Sequence, residues 1–248
     1  MSGAVTCGGA PVRTGGQLVP PDVALAVRGL GQRYVGKGGY KLEGALDDFQ
    51  IAVDGRVCID AGACTGGFTD CLAQRGAAIV YAVEAGYGQL AGSLAQHPAV
   101  VNLERTNLGD GALLRLDPVP TLGSVDLSYL SLVRAVPQFR AILRGAGELI
   151  CLVKPLFETD DAQARRTGTL PDGAYAPLLT QLIAALNAQP GTRVSGVTHS
   201  HVTGNGGTRE FFLHVLFDGE TPPDLMRAIG EAVERALELE RYRKSRPV

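Results

Sequence analysis

The sequence predicts an α/β fold built on a mostly parallel sheet with helices on both faces. From Arg56 onward, short apolar runs alternate with helical segments, and this order requires βαβ crossovers. The last two apolar runs are joined only by residues 199–209, and so short a connection favours an antiparallel hairpin. A chain of 248 residues with 45% hydrophobic content is long enough for one sizeable core.

The expected elements follow in order from these runs. A short helix after Lys41 would carry Leu42, Ala45, Leu46 and Phe49 on one face. The apolar runs predict seven strands at 57–60, 79–84, 100–103, 124–127, 148–153, 193–198 and 210–217. Helices are predicted between them at 68–75, 89–96, about 132–143, and 176–187.

The two ends differ from this central part. Residues 1–32 are rich in glycine and proline and predict a flexible N-terminal arm. Residues 33–220 form the predicted catalytic domain. Residues 221–248 predict an amphipathic helix packed on that domain, because apolar side chains recur at four-residue spacing at Leu225, Ile229, Val233 and Leu237.

Composition limits the class of protein. No apolar run approaches the roughly 20 residues that span a bilayer, and the first residues lack a signal-peptide pattern. We therefore expect a cytoplasmic protein with no membrane partner. The five cysteines have neither disulfide nor metal-site spacing. The four histidines, His97, His199, His201 and His214, show no ligand spacing either, so we expect packing roles and no metal. The net charge of −2 disfavours an extended basic face but allows a local one.

A glycine loop indicates the cofactor. Asp60-x-Gly62-x-x-x-Gly66-Gly67 follows a strand and opens a helix, so the backbone can turn sharply and approach a ligand. The spacing is not that of a dinucleotide or triphosphate loop, which favours a nucleoside without phosphates. Glu84 ends the next strand, where an acidic residue accepts hydrogen bonds from ribose hydroxyls. Together they suggest S-adenosylmethionine, although Asp60 and Glu84 could instead cap the next helices.

The residues expected to bind this cofactor lie in the loop and at the ends of the neighbouring strands. They are Asp60, Gly62, Ala63, Thr65, Gly66, Gly67, Phe68, Glu84, Ala85, Asn107 and Asp126. Asp110, shortly after the third strand, could approach the adenine.

Four polar residues, among them the Asp126 already named, lie at the edges of apolar runs, where they would reach the rim of the sheet. They are Lys41, Asp126, Lys154 and Glu210. Two lysines and two carboxylates beside a glycine loop indicate an enzyme that removes a proton from a hydroxyl or a similar group.

Several motifs resemble the hemolysin TlyA family and, more distantly, FtsJ-type ribose 2′-O-methyltransferases. They are Arg33–Leu42, Asp60–Asp70, Ala82–Leu90, Glu104–Asn107, Asp126–Leu132, Lys154–Glu158 and Thr203–Phe212. The resemblance implies a Rossmann-like class I methyltransferase fold that uses S-adenosylmethionine on RNA ribose. The family's Lys-Asp-Lys-Glu tetrad would fall on the four rim residues.

Each residue of the tetrad is expected to have its own role in the reaction. Lys154 would accept the proton, Asp126 would orient that lysine and favour the sulfonium, and Lys41 and Glu210 would position the attacking group. The residues expected to line the substrate pocket are Tyr40, Ser128, Tyr129, Pro155, Phe157 and Arg209.

Departures from the family pattern keep an alternative open. Only a short arm precedes Arg33, where the family has an S4 RNA-binding domain, and Thr159–Gln163 replaces a basic, glycine-rich segment. With RNA contacts thinned, the substrate could be a small molecule of secondary metabolism. That enzyme would transfer methyl, or cleave or cyclise the aminocarboxypropyl arm of S-adenosylmethionine and release methylthioadenosine. A non-catalytic RNA-binding or membrane-acting protein lacks the basic amphipathic segment it would need.

Overall fold

The computed structural model describes residues 5–12, 17–20, 23–27 and 33–239. Contacts between residues divide the chain into two compact units, Met1–Arg33 and Tyr34–Val248.

The first unit contains a small antiparallel sheet. Its strands are β1 (Val5–Cys7), β2 (Ala10–Pro11) and β3 (Leu25–Val27), in the order β2-β1-β3. This differs from the predicted flexible arm over residues 1–32. Strands of two or three residues are too short to show the period-two alternation that marks a strand in sequence, so the glycine and proline content dominated that prediction.

The second unit is built on a seven-stranded sheet in the order β6-β5-β4-β7-β8-β10-β9. The strands are β4 (Val57–Ala61), β5 (Ile79–Glu84), β6 (Val100–Glu104), β7 (Leu122–Val125), β8 (Glu148–Val153), β9 (Arg193–His199) and β10 (Phe211–Leu216). Only β10 runs against its neighbours, β8 and β9. The predicted α/β fold with a C-terminal antiparallel hairpin is therefore confirmed.

The helices are α1 (Lys37–Asp48), α2 (Gly67–Gln74), α3 (Gly92–Ala95), α4 (Leu132–Ile142), α5 (Pro155–Glu158), α6 (Ala162–Thr167), α7 (Tyr175–Asn187) and α8 (Met226–Glu238). α3 is shorter than the predicted 89–96. The backbone N–H groups of Gln89 and Leu90 donate to the Glu104 carboxylate instead of extending that helix. α5 and α6 were not predicted, because one or two turns are too short to show helical periodicity.

Two apolar clusters cover the two faces of the sheet. One joins the sheet to α4, α7 and α8, and the other joins it to α1 and α2. The alternation along β10 shows the division: Phe211 and Leu213 belong to the first cluster, and Phe212 to the second. The prediction of helices on both faces is therefore confirmed.

The C-terminal helix is shorter than the segment predicted for it. α8 buries Ile229, Ala232 and Ala236 against the first cluster and ends at Glu238. Residues 240–248, including the basic end of the predicted helix, lie outside the described part of the chain. Within the described part, no helix combines the length and apolarity needed to cross a membrane.

α1 begins against a buried aromatic ring. Tyr34 is 1% exposed, and its hydroxyl donates to Glu43 Oε1 at 3.0 Å. Gly39 faces this ring so closely that a Cβ there would overlap it. A glycine at this position is therefore required for the start of the helix that carries Lys41.

We expect Gly39→Ala to destabilise the protein by about 1–3 kcal/mol, because the new methyl group must displace the Tyr34 ring from a packed site. Gly230→Ala is the matched control, since a Cβ at this position in α8 meets no atom within 4 Å. It should stabilise the protein by about 0.4–1 kcal/mol. Urea unfolding measures both, and equal effects of the two substitutions would contradict the packing argument.

Candidate active site

A crevice opens where the strand order reverses. β4 has β5 on one side and β7 on the other, and in such sheets ligands bind at the carboxyl ends of the strands at this point. The glycine loop that follows β4 lies at this crevice.

Asp60 holds the loop from behind. It is fully buried at the end of β4, and its two oxygens accept hydrogen bonds from Thr69 Oγ1 at 2.7 Å and Ser124 Oγ at 2.9 Å. Thr69 belongs to α2 and Ser124 to β7, so one carboxylate connects three elements. The sequence predicted a cofactor contact for Asp60, whereas this placement gives the side chain a supporting position.

The loop itself follows a path that requires its glycines. The N–H groups of Gly62 and Ala63 donate to the carbonyl oxygen of Val83 at 2.9 and 3.1 Å. Gly62 has φ +86°, and a Cβ there would overlap the Asp126 carbonyl oxygen. Gly66 has φ +98° and precedes α2, which begins at Gly67. The backbone can therefore approach a ligand closely at this edge of the sheet.

Glu84 lies at the end of β5 beside this loop. Its Oε2 accepts from the Cys64 N–H at 2.9 Å, and its Oε1 accepts from the Gly86 N–H at 2.7 Å. A carboxylate offers about four lone-pair positions, so capacity remains for two hydroxyls of a ribose. The placement fits the predicted role.

The other residues predicted near the cofactor differ in their exposure to solvent. Thr65 lines the cleft described below, and Ala85 and Asn107 are exposed beyond β5 and β6. Phe68 is buried among the core side chains, with its ring 6.1 Å from that of Phe212. Asp110 caps a 3-10 turn by accepting from the Ala112 N–H at 2.8 Å.

The four rim residues converge on one cleft of about 670 Å³. Lys41 comes from α1, Asp126 follows β7, Lys154 follows β8, and Glu210 precedes β10. Since β10 is antiparallel, with Phe211 opposite Val153, its first residues lie at the carboxyl end of β8. The reversed strand therefore brings Glu210 to the end of the sheet at which the parallel strands finish.

The four side chains form two ion pairs of different exposure. Lys41 Nζ donates to Glu210 Oε2 at 2.5 Å, with side-chain exposures of 11% and 7%. Lys154 is paired with Asp126 and also donates to Ser128 Oγ at 2.9 Å. Burial raises the pKa of Glu210, and the adjacent Lys41 ammonium opposes that rise. The charges of Asp126 and Lys154 also act on this pKa, so the two pairs are electrostatically coupled.

The predicted substrate residues are only partly brought together. Ser128, Pro155 and Phe157 line the cleft, and the Phe157 ring lies 5.9 Å from Lys154 Nζ and is half exposed. Tyr129 is 59% exposed beside Ser128. Tyr40 instead packs its ring edge-on against Tyr34, at 5.1 Å between centroids.

Arg209 contributes to the cleft lining but directs its guanidinium elsewhere. The guanidinium donates to the carbonyl oxygens of Leu239 at 2.5 Å and Leu237 at 3.2 Å, at the end of α8. It therefore satisfies carbonyl groups that the helix end leaves without partners. This contact differs from the predicted substrate role, and the long sequence separation hid it.

Sequence reasoning missed part of the cleft wall. Lys37, Tyr175, and the segments 168–170 and 203–208 also line it. The resemblance motifs Arg33–Leu42 and Thr203–Phe212 contained Lys37 and the last segment, without predicting that they line the cleft. Segment 168–170 carried no signal, because the helix α6 that precedes it is too short to show helical periodicity.

Comparison with known proteins relates the chain to methyltransferases. A profile of the FtsJ-like methyltransferase family matches residues 34–217. The chain is 38% identical over 237 residues to the 16S/23S rRNA (cytidine-2′-O)-methyltransferase TlyA of Mycobacterium tuberculosis, covering 95% of this chain and 88% of that protein. It is 36% identical over 226 residues to YqxC of Bacillus subtilis, whose name places it among rRNA methyltransferases, covering 88% and 80%.

A solved structure extends the similarity to three dimensions. A protein from Streptococcus thermophilus described as a hemolysin has a TM-score of 0.79 and 32% identity, covering 96% of this chain and 87% of its own. Residues 34–248 are a smaller share of the chain than the share matched by this structure or by the M. tuberculosis relative. The similarity therefore reaches into the first unit as well.

The buried Asp60 should make stability depend on pH. Burial raises its pKa from the ordinary 3.8 to about 6. As pH rises through this window, the unfolded chain releases the proton while the folded protein retains it, so Asp60 lowers the free energy of unfolding. Asp60→Asn can keep both hydroxyl contacts without ionising. We expect it to gain stability relative to the unaltered protein as pH rises through the window, measured by urea unfolding at stepped pH. Parallel pH profiles would contradict this.

Proposed function

This chain belongs to the FtsJ-like methyltransferase family, and we propose that it methylates a ribose 2′-hydroxyl of ribosomal RNA. Its methyl donor is S-adenosylmethionine. The observation that carries the proposal is the convergence of Lys41, Asp126, Lys154 and Glu210 on one cleft beside the glycine loop. A relative named as an rRNA (cytidine-2′-O)-methyltransferase, 38% identical to this chain, supports the choice of substrate.

The cofactor would lie across the carboxyl ends of β4 and β5. We assign the ribose hydroxyls to Glu84, and the adjoining part of the cofactor to the loop from Gly62 to Gly67. Thr65 lines the catalytic cleft as well as belonging to this loop, so the methyl group would face the tetrad.

The tetrad residues supply what a weak nucleophile needs. A ribose hydroxyl must lose a proton as it attacks the sulfonium methyl in line. We assign Lys154 as the group that accepts the proton, which requires its ammonium first to release a proton to solvent so that the neutral amine is the base. Asp126, its ion-pair partner, would hold the ammonium after transfer, and Ser128 would fix the position of Nζ. The more buried Lys41–Glu210 pair would position the hydroxyl, because two desolvated partners hold one geometry better than two exposed ones.

The surroundings of the cleft suit a nucleic acid better than the overall charge suggests. Exposed Lys37 lines the cleft, and exposed Arg165 and Arg166 occupy the last turn of α6, directly before the lining segment 168–170. Cations in these places can bind phosphates. Phe157 and Tyr129 are exposed aromatic rings of the kind on which an unstacked base packs.

Lys154→Met should lower turnover by about 10²–10⁴-fold, the range expected when a general base is removed. Binding of S-adenosylmethionine should persist, since Lys154 lies outside the glycine loop. Mass spectrometry would follow S-adenosylhomocysteine formed with and without ribosomal RNA. Arg227→Met is the matched control, because this cation on α8 is 93% exposed.

The products distinguish the reactions. S-adenosylhomocysteine that forms only with RNA, together with a methylated ribose in the digested RNA, would support the proposal. Methylthioadenosine formed without RNA would overturn it, since that product requires cleavage of the other sulfonium bond. Unchanged turnover in Lys154→Met would show that Lys154 does not accept the proton.

The arginines of α6 test the RNA contact separately. Arg165→Ala with Arg166→Ala should weaken RNA binding and reduce the slope of log affinity against log salt by roughly one per phosphate contact. Arg227→Ala should leave the slope unchanged. Filter binding at several salt concentrations measures the slope, and equal slopes for the double variant and the control would exclude these arginines as phosphate ligands.

A further inference from the structure

A second group of ligand-type side chains lies outside the catalytic cleft. Asp48 is the last residue of α1, His199 is the last of β9, and His201 follows two residues later. One ligand atom from each of the three lies within 4.8 Å of the others. None of the three lines the cleft.

The contacts within the group leave coordination capacity. Asp48 Oδ2 accepts from Thr198 Oγ1 at 2.5 Å and is 3.0 Å from His201 Nε2. The rings of His199 and His201 lie 4.7 Å apart between centroids. The second oxygen of Asp48 and the one unprotonated nitrogen of each neutral imidazole are acceptors that could bind an ion.

His199 is the most informative member. Its side chain is buried, at 9% exposure, and its Nδ1 has no hydrogen-bond partner among the described residues. A buried polar atom without a partner costs about 1–3 kcal/mol, so such an atom needs an explanation. Burial, followed by the proximity of His201, lowers the pKa of His199.

We propose that Asp48, His199 and His201 bind a divalent transition metal ion of the zinc type. Two imidazoles and one carboxylate are a ligand set that zinc accepts, at about 2.0–2.2 Å, with water in the fourth position. The ligand atoms lie within 4.8 Å of one another, and Asp48 Oδ2 and His201 Nε2 are only 3.0 Å apart, so small movements of the side chains bring all three onto one ion. The exposed His201 and Asp48 have the freedom to move.

The charged groups around the site are compatible with a cation. From α8, Arg235 and Glu238 act on His199 with opposite sign and partly cancel. His214 is not included among the proposed ligands. Its Nε2 lies 2.5 Å from Glu148 Oε2, and its ring stacks on that of Phe49.

The site would fasten two segments of the active site to each other. Asp48 lies two helical turns after Lys41 on α1, and His201 begins the segment that leads to Glu210. His201 also lies against α1, since a Cβ on Gly44 would fall 2.6 Å from its Nδ1. A bound ion would hold the helix that carries Lys41 to the segment that carries its partner.

The test titrates chelator-treated, full-length protein with Zn²⁺ and with Co²⁺. We expect one ion per chain, a melting temperature that rises with Zn²⁺, and a cobalt spectrum without a thiolate charge-transfer band. His201→Gln can still donate to Asp48 but is a poor ligand, and Asp48→Asn can still accept from Thr198. Each should weaken Zn²⁺ binding by more than about ten-fold. His97→Gln is the matched control, because His97 lies elsewhere and accepts from the Ala99 N–H.

Three outcomes would overturn the proposal. The first is no stoichiometric binding, which leaves Asp48 and His201 as a simple hydrogen-bonded pair. The second is a thiolate band, which places the ion on cysteines. The third is equal affinity in His201→Gln, Asp48→Asn and His97→Gln. Thermal melts without metal confirm that each variant is folded.

Discussion

The hydrogen bonds of the buried Asp60 carboxylate are the interaction on which the glycine loop, the proposed cofactor site, depends. This carboxylate lies at the end of the central strand β4 and accepts one hydrogen bond from the Thr69 hydroxyl of α2 and another from the Ser124 hydroxyl of β7. Those elements flank the crevice at which the strand order reverses. The glycine loop runs from β4 to α2, so the hydrogen bond between Thr69 and Asp60 ties its two ends together. Burying a carboxylate has an energetic cost, visible in its raised pKa, and the two short hydrogen bonds offset part of it.

The reversed strand β10 has the corresponding role in the cleft proposed for the substrate, because it positions Glu210. In a wholly parallel sheet, the residue before a strand lies at the amino end, far from a site at the carboxyl ends. Because β10 is antiparallel, Glu210 lies beside the end of β8, where Lys154 follows. Lys41 then approaches Glu210 from α1, which packs on the face of the sheet that contains Phe212. Strand direction thus assembles a four-residue site from segments 169 residues apart.

The two lysine–carboxylate pairs are not equivalent. Lys41 and Glu210 are nearly buried and bonded to each other, which suits a fixed positioning element. Lys154 and Asp126 are more exposed, and Lys154 has Ser128 as a further partner, which suits a group that must exchange a proton with a substrate. The proposed metal group adds a third connection, from the end of α1 to the segment that precedes Glu210.

The sequence by itself determined the α/β class, the seven strands, the glycine loop and the family, because these depend on local periodicity and on contiguous motifs. It also predicted Lys41, Asp126, Lys154 and Glu210 as candidate site residues, and these four line one cleft in the structure. Only the tertiary structure decided how they pair, that Asp60 faces inward, and that Arg209 reaches the end of α8. It alone revealed the strands in residues 5–27 and the grouping of Asp48 with His199 and His201. These features depend on contacts between residues distant in sequence, and such contacts leave no periodic signal along the chain.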